Sequence, residues 1–187
     1  MISQIFDRNS FKVLSLFALS PGSRFRRQEI KNRTMMHNIP LDEALSKLLM
    51  SELIKRDSGF YSINFDNKYT ERIIDVVSSQ HNEMKKLPLG VYFILIDLIY
   101  DTHLSIEIEM WLFGSYSKLI YNDKSDIDIA VLASEEFRKD TLKKTIRKLE
   151  GHYKKKIEIH FFEKKKFYKN KRDPLVKEIL QHGIKLK

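Results

Sequence analysis

From Ser105 onward the chain changes period, and that change constrains the fold more than any other feature. Ile106-Glu107-Ile108-Glu109-Met110-Trp111-Leu112-Phe113 reads with the alternation of a β-strand. Ser125 to Leu132 predicts a second strand and Lys156 to Phe162 a third. Between the last two, Glu135 to Tyr153 predicts an amphipathic helix carrying Phe137, Leu142, Ile146 and Leu149. A last helix has Asp173 as its N-cap, Pro174 in its first turn and Gly183 just past its end. Strands alternating with helices imply an α/β (α+β) unit with a small mixed sheet over residues 105–187.

The first third reads as helix, helix, helix, hairpin. Phe11, Leu14, Leu16, Phe17 and Leu19 form an apolar helical face stopped by Ser20-Pro21-Gly22. A short helix follows from about Arg26 to Arg33. A third opens at Pro40 with Leu41, Ala44, Leu45, Leu48 and Leu49. Leu53 to Arg56 and Tyr61 to Phe65 flank Asp57-Ser58-Gly59 as two strands flank a turn. This order, over residues 1–66, resembles a winged helix-turn-helix domain. The resemblance implies DNA as a partner, with the helix at Pro40 as its reader. That helix exposes Asp42 and Glu43 beside Ser46 and Lys47, a poor surface for phosphates. The basic residues Arg24, Arg26, Arg27, Lys31 and Arg33 lie on and before the second helix, with Lys55 and Arg56 at the wing. A docking or dimerising role, giving a homodimer, is the competing reading. Residues 67–104 predict two connecting helices, about Lys68 to Lys86 and Leu89 to Thr102. The second is apolar nearly all round and is expected to be buried between the two halves.

Composition excludes several classes. No apolar run approaches the roughly 20 residues of a membrane span, so no membrane association is expected. No charged-then-apolar signal opens the chain. The absence of cysteine removes disulfides and thiolate metal sites and fits a cytoplasmic protein. The net charge is +9, and Lys and Arg exceed Asp and Glu by seven over residues 105–187. Charge of this kind reads first as a solvated lysine-rich surface, and it suits polyanionic partners such as nucleotides or nucleic acid.

The chemistry lies in Trp111 to Leu132. Gly114-Ser115 follows a strand directly; after ten intervening residues, a helix-length spacer, Asp126-Ile127-Asp128 enters the next strand. Glycine lets backbone approach a phosphate closely, and the next amide and hydroxyl can bond phosphate oxygens. Asp126 and Asp128, two apart in a strand, project from one face, while Ile127, Ile129 and Val131 fix the strand in the core. Two carboxylates on one face suit Mg²⁺, which takes hard oxygen ligands shared with substrate phosphates. A strand gains no stability from two such carboxylates.

This segment resembles the signature of the polymerase-β-like nucleotidyltransferases, in particular the minimal prokaryotic group that includes antitoxins paired with toxins. The resemblance implies transfer of a nucleoside monophosphate, AMP with ATP as donor, to an acceptor hydroxyl with release of pyrophosphate. The acceptor could be a protein tyrosine or serine, an RNA 3′ end or a small hydroxylated molecule. It implies Asp126 and Asp128 as metal ligands, Gly114 and Ser115 at the triphosphate, and a third carboxylate on a later strand. Glu158 in Lys156 to Phe162 matches that position, to hold metal and deprotonate the acceptor, although aspartate is commoner there. Where many relatives have small-Arg-Gly after Gly-Ser, this chain has Ser117-Lys118-Leu119; Lys118 still offers a point charge to a triphosphate. His160 shares a face with Glu158 and is read as structural. The lysine runs 154–156 and 164–166 read as solvated surface. The competing function is a DNA-binding regulator or antitoxin, with a toxin-like protein partner, whose transferase fold senses ligand or is inactive.

Overall fold

The computed structural model describes residues 6–102 and 108–187, in two compact units, residues 1–85 and 86–187. The connecting helices expected over 67–104 are thereby divided between the units, the first with the amino-terminal unit and the second with the carboxy-terminal one. No helix among the described residues is long and apolar enough to cross a membrane.

In the first unit, α1 (Arg8–Ala18) starts where the Asp7 carboxylate accepts from the amides of Asn9 and Ser10. A short β1 (Phe25–Arg26) precedes α2 (Arg27–Thr34) and α3 (Asn38–Met50). The hairpin is β2 (Ile54–Asp57) and β3 (Phe60–Ile63), and β1 adds to it to give the antiparallel order β1-β3-β2. Next comes α4 (Thr70–Ser79). Buried Phe11, Leu14 and Phe17 anchor α1 against α2, α3 and α4. Two expectations shift here. The third helix starts two residues before Pro40. The helix expected over 68–86 stops at Ser79, and after His81 at φ +55° the chain continues as a 3₁₀ turn, Asn82–Lys86.

In the second unit, α5 (Leu89–Asp101) is buried from Val91 to Ile99. Then come β4 (Glu109–Phe113), the short α6 (Gly114–Ser117), β5 (Ile127–Ala133), α7 (Lys139–Tyr153) and β6 (Ile157–Glu163). The chain closes with α8 (Lys164–Lys169), α9 (Pro174–His182) and β7 (Ile184–Lys185). The sheet order is β6-β5-β4-β7: β5 and β6 run parallel, and the other pairs antiparallel. A parallel pair needs a long crossover, which α7 supplies. The α5 helix packs on α7, and the Tyr153 hydroxyl donates to buried Asp97 at 2.5 Å.

The register sorts the sheet into two faces. Ile127, Ile129 and Val131 share one and are fully buried. Glu109, Trp111 and Phe113 of β4, Asp128, Ala130 and Leu132 of β5, and Glu158, His160 and Phe162 of β6 share the other. Phe167 of α8 and Val176 and Ile179 of α9 seal the middle of that second face over Phe113, Ala130 and Leu132. Its two ends stay polar.

The mixed α+β architecture agrees with the sequence reading. The first strand was expected from Ile106, and residues 103–107 lie outside the described residues. The spacer after Gly-Ser is not a helix: α6 ends after one turn, Leu119 adopts φ +58°, and a loop leads on to β5. Helix α7 begins four residues later than Glu135. Gly183 ends α9 without left-handed backbone (φ −73°); it is needed for space, since a Cβ there would overlap the Ile179 carbonyl and lie 3.2 Å from the Trp111 ring.

Candidate active site

The site occupies the end of the second face where β4 stops and β5 and β6 begin. Phe113, the last residue of β4, lies opposite Asp128, and Asp128 lies beside Glu158 on the parallel neighbour. Gly114 then turns the chain at φ +72°. A Cβ there would overlap Asp128 Oδ2 and stand 3.1 Å from its Cγ. Glycine at 114 is thus required twice, by its dihedral and by the carboxylate pressed against its α-carbon. The Gly-Ser and Asp-x-Asp halves of the sequence pattern are one contact in space.

Glu158 sits on the same face as Asp128, and His160 follows it two residues along β6. One ligand atom from each of Asp128, Glu158 and His160 falls within 4.8 Å of the others, a span that fits one divalent ion. His160 Nε2 lies 3.3 Å from Glu158 Oε1, and its ring meets Phe113 edge-on at 5.1 Å. Burial pushes the Asp128 carboxyl above its ordinary value; Glu158, Asp126 and Glu178 add to the rise, against a smaller opposing effect of His160. Like charges and partial burial are unfavourable to a carboxylate unless a cation joins them.

Asp126 precedes the first residue of β5, and its carboxylate takes Lys156 Nζ at 2.9 Å. It is close enough to influence Asp128 but is not one of the three grouped ligands. Asp126 holds the Lys156 ammonium above its usual pKa. Ser115 follows Gly114 in α6, half-buried, and its carbonyl accepts from the Ile120 amide. The Lys118 ammonium rests on Glu178 of α9 at 2.6 Å, with both side chains about one-third exposed (35 % and 33 %). Of the residues singled out from sequence, Gly114, Asp128 and Glu158 are in one cluster, Asp126 borders it, and Lys118 is tied to α9.

Two neighbours were not assigned from sequence. His160 carried a usable signal, its two-residue spacing from Glu158. Glu178 carried none, since nothing local links an α9 residue to Lys118. The lysine runs are less solvated than they read: Lys155 donates to the Asp123 carbonyl at 3.0 Å and lies over Tyr116, whose ring stacks on Tyr121.

Residues 95–186 match the family model of the nucleotidyltransferase domain. Over this stretch the chain is similar to nucleotidyltransferase domains. The match begins within α5 and ends beside β7, so it takes in the whole sheet together with α6 to α9. Domains of that family transfer a nucleoside monophosphate, with a nucleotide as substrate. No curated protein and no solved structure matches the chain.

Proposed function

We propose that this nucleotidyltransferase domain moves AMP from ATP to an acceptor hydroxyl, using a divalent ion such as Mg²⁺. The carrying observation is the pressing of Asp128 against Gly114 with Glu158 alongside. Asp128 and Glu158 would hold the ion, and Asp126 would join them once it leaves Lys156. The bound ion would supply positive charge where the phosphate oxygens gather. Gly114 and Ser115 would receive the triphosphate at the turn. Lys118, resting on a partly exposed Glu178, would exchange that carboxylate for a phosphate oxygen.

The acceptor oxygen forms a new bond to the α-phosphorus while the bond from that phosphorus to the bridging oxygen breaks. Pyrophosphate carries away the bonding pair. The hydroxyl proton passes to the Glu158 carboxylate, half-exposed (50 %) and so reachable by an incoming acceptor.

Incubating the chain with ATP labelled at the α-phosphate and with candidate proteins and RNAs tests this directly. Label should appear on an acceptor, and pyrophosphate should be released in equal amount. ATP labelled at the γ-phosphate should leave no label on the acceptor. Label transferred from the γ-position would instead identify a phosphoryl transferase and defeat the reading.

For the first unit, a winged-helix-like role in binding nucleic acid is favoured by one patch. Arg24 and Arg26 both lie over the Phe60 ring, at 5.4 and 4.8 Å, on the hairpin. The α3 helix contributes little to it, because Asp42 is held by Arg27 through two hydrogen bonds of 2.6 and 2.8 Å. Charge reversal of Arg24 and Arg26 together should weaken DNA binding and flatten its salt dependence. DNA binding that is unchanged in the double variant would exclude the hairpin patch.

A further inference from the structure

The Asp128–Glu158–His160 group contains one ligand that a magnesium site has no use for. Mg²⁺ takes oxygen ligands, whereas imidazole nitrogen suits first-row transition ions. We propose that His160 is a third protein ligand, bound through Nε2, which makes this site prefer Mn²⁺ to Mg²⁺. The proposal rests on the nucleotide-transfer reading of the site and deepens it.

Three features support direct ligation. His160 lies on the same sheet face as both carboxylates, two residues from Glu158 on β6, and across from Ala130 rather than a large side chain. Phe113, the residue opposite Asp128, packs edge-on to the imidazole (77° between planes) and limits its rotation. The separation of Nε2 from Glu158 Oε1, 3.3 Å, is close to the spacing of adjacent ligands around one ion. Ligands at about 2.1 Å from a metal and at right angles stand roughly 3 Å apart. In the metal-free arrangement the same 3.3 Å contact is an imidazole–carboxylate pair, so an arriving ion would insert between two groups already placed. Mg²⁺ would still bind through the carboxylates and phosphate oxygens, but without gain from the imidazole.

Mn²⁺ electron-spin-echo measurements on the full chain test the nitrogen directly. Inorganic tripolyphosphate serves as the triphosphate, because it carries no nitrogen of its own. The wild type should show ¹⁴N modulation from a directly bound imidazole. His160→Gln should lose it and bind Mn²⁺ at least about tenfold more weakly, since even outer-sphere partners of metal sites cost 10–100-fold. Mg²⁺ affinity should barely change. His160→Asp, which returns an oxygen ligand, should recover Mn²⁺ binding but not the nitrogen signal. If Mn²⁺ binds without ¹⁴N modulation, and Asp128→Asn abolishes that binding, the site reading stands and His160 ligation is overturned. If Asp128→Asn leaves Mn²⁺ binding intact, the site reading itself fails.

Discussion

The two ends of one sheet face treat their carboxylates in opposite ways. At the β5–β6 entry, Asp128 is surrounded by Glu158, Asp126 and Glu178, and burial with those charges raises its pKa. At the far end Glu109 accepts from Lys164 at 2.5 Å and from the Tyr168 hydroxyl at 2.7 Å, with Lys185 at 3.5 Å. Burial alone would raise the Glu109 carboxyl, but these partners outweigh it and hold it down at about 2. Burial, with the same bond adding to it, pushes Tyr168 up to about 12. One carboxylate is satisfied by the protein and the other is left wanting a cation, although the same face and the same strands carry both. Perturbation toward the neutral form is found at the proposed chemical site, and perturbation toward the charged form at a structural clamp.

The sharpest way to break this comparison is Asp128→Asn. On the proposed role of Asp128 in gathering metal and phosphate, losing its charge should cut nucleotide transfer by about 10³-fold, the scale of several kcal/mol of lost charge stabilisation. Transfer at the wild-type rate would remove Asp128 from the chemistry. Glu109→Gln at the far end should leave transfer unchanged.

Gly114→Ala comes next, because it strikes the backbone and Asp128 together. A left-handed backbone and a Cβ overlapping Oδ2 should cost about 1–3 kcal/mol and displace the carboxylate, so both stability and transfer fall. Gly183→Ala, strained against the Ile179 carbonyl instead, should cost a similar amount of stability with transfer per folded molecule retained. Equal loss of transfer in both variants would show that the Gly114 contact with Asp128 has no special role. Transfer rate and urea unfolding of the two variants measured side by side decide it.

The legible part of this molecule was whatever local pattern dictates. Period-two alternation announced β5 and β6, while the family resemblance, not the alternation, pointed to Glu158 as the partner of Asp128. Asp173-Pro174 and Gly183 announced α9 at both ends. The illegible part came from partners distant in sequence. Two-residue strands such as β1 and β7 exist only because a neighbouring strand offers hydrogen bonds, Phe25 to Tyr61 and Leu112 to Ile184. Helix α8 is a lysine run capped by Glu163, which reads as solvated charge until Lys164 is seen to reach Glu109. Asp126 looked equivalent to Asp128 by spacing, yet it precedes the strand and meets Lys156. Strand spacing gives the face of a residue, and only the tertiary fold gives its counter-ion.

Glu109→Gln sharpens the structural side. It removes a charge that holds Lys164 and Lys185, so stability should fall by about 1.5–3 kcal/mol, the value of hydrogen bonds to charged groups. Trp111, the only tryptophan in the chain, lies on β4 beneath Lys185, so its fluorescence reports unfolding of this unit alone. A change within about 0.5 kcal/mol, the range of an ordinary surface substitution, would demote the clamp to decoration.

The smallest effects are the pH dependences, and their signs must differ. The Glu109 carboxyl titrates lower in the folded chain than its ordinary 4.5, so its stabilisation is present above that value and is lost as the pH falls toward about 2. The stability gap between wild type and Glu109→Gln should therefore be full at pH 6 and narrow steadily through pH 4.5 to 2. Asp128 titrates higher in the folded chain than unfolded. Its ionisation therefore costs stability as the pH rises through the folded value, and the cost vanishes below the ordinary carboxylate range. Metal-free Asp128→Asn should thus be slightly more stable than wild type at pH 7, by a few tenths of a kcal/mol, and equal to it near pH 3. Plotted against pH, the two gaps should have opposite signs at neutrality and both should close in acid. A metal-free Asp128→Asn chain less stable than wild type at pH 7 would mean that Asp128, like Glu109, is satisfied by the protein, and the contrast between the two ends of the sheet would collapse.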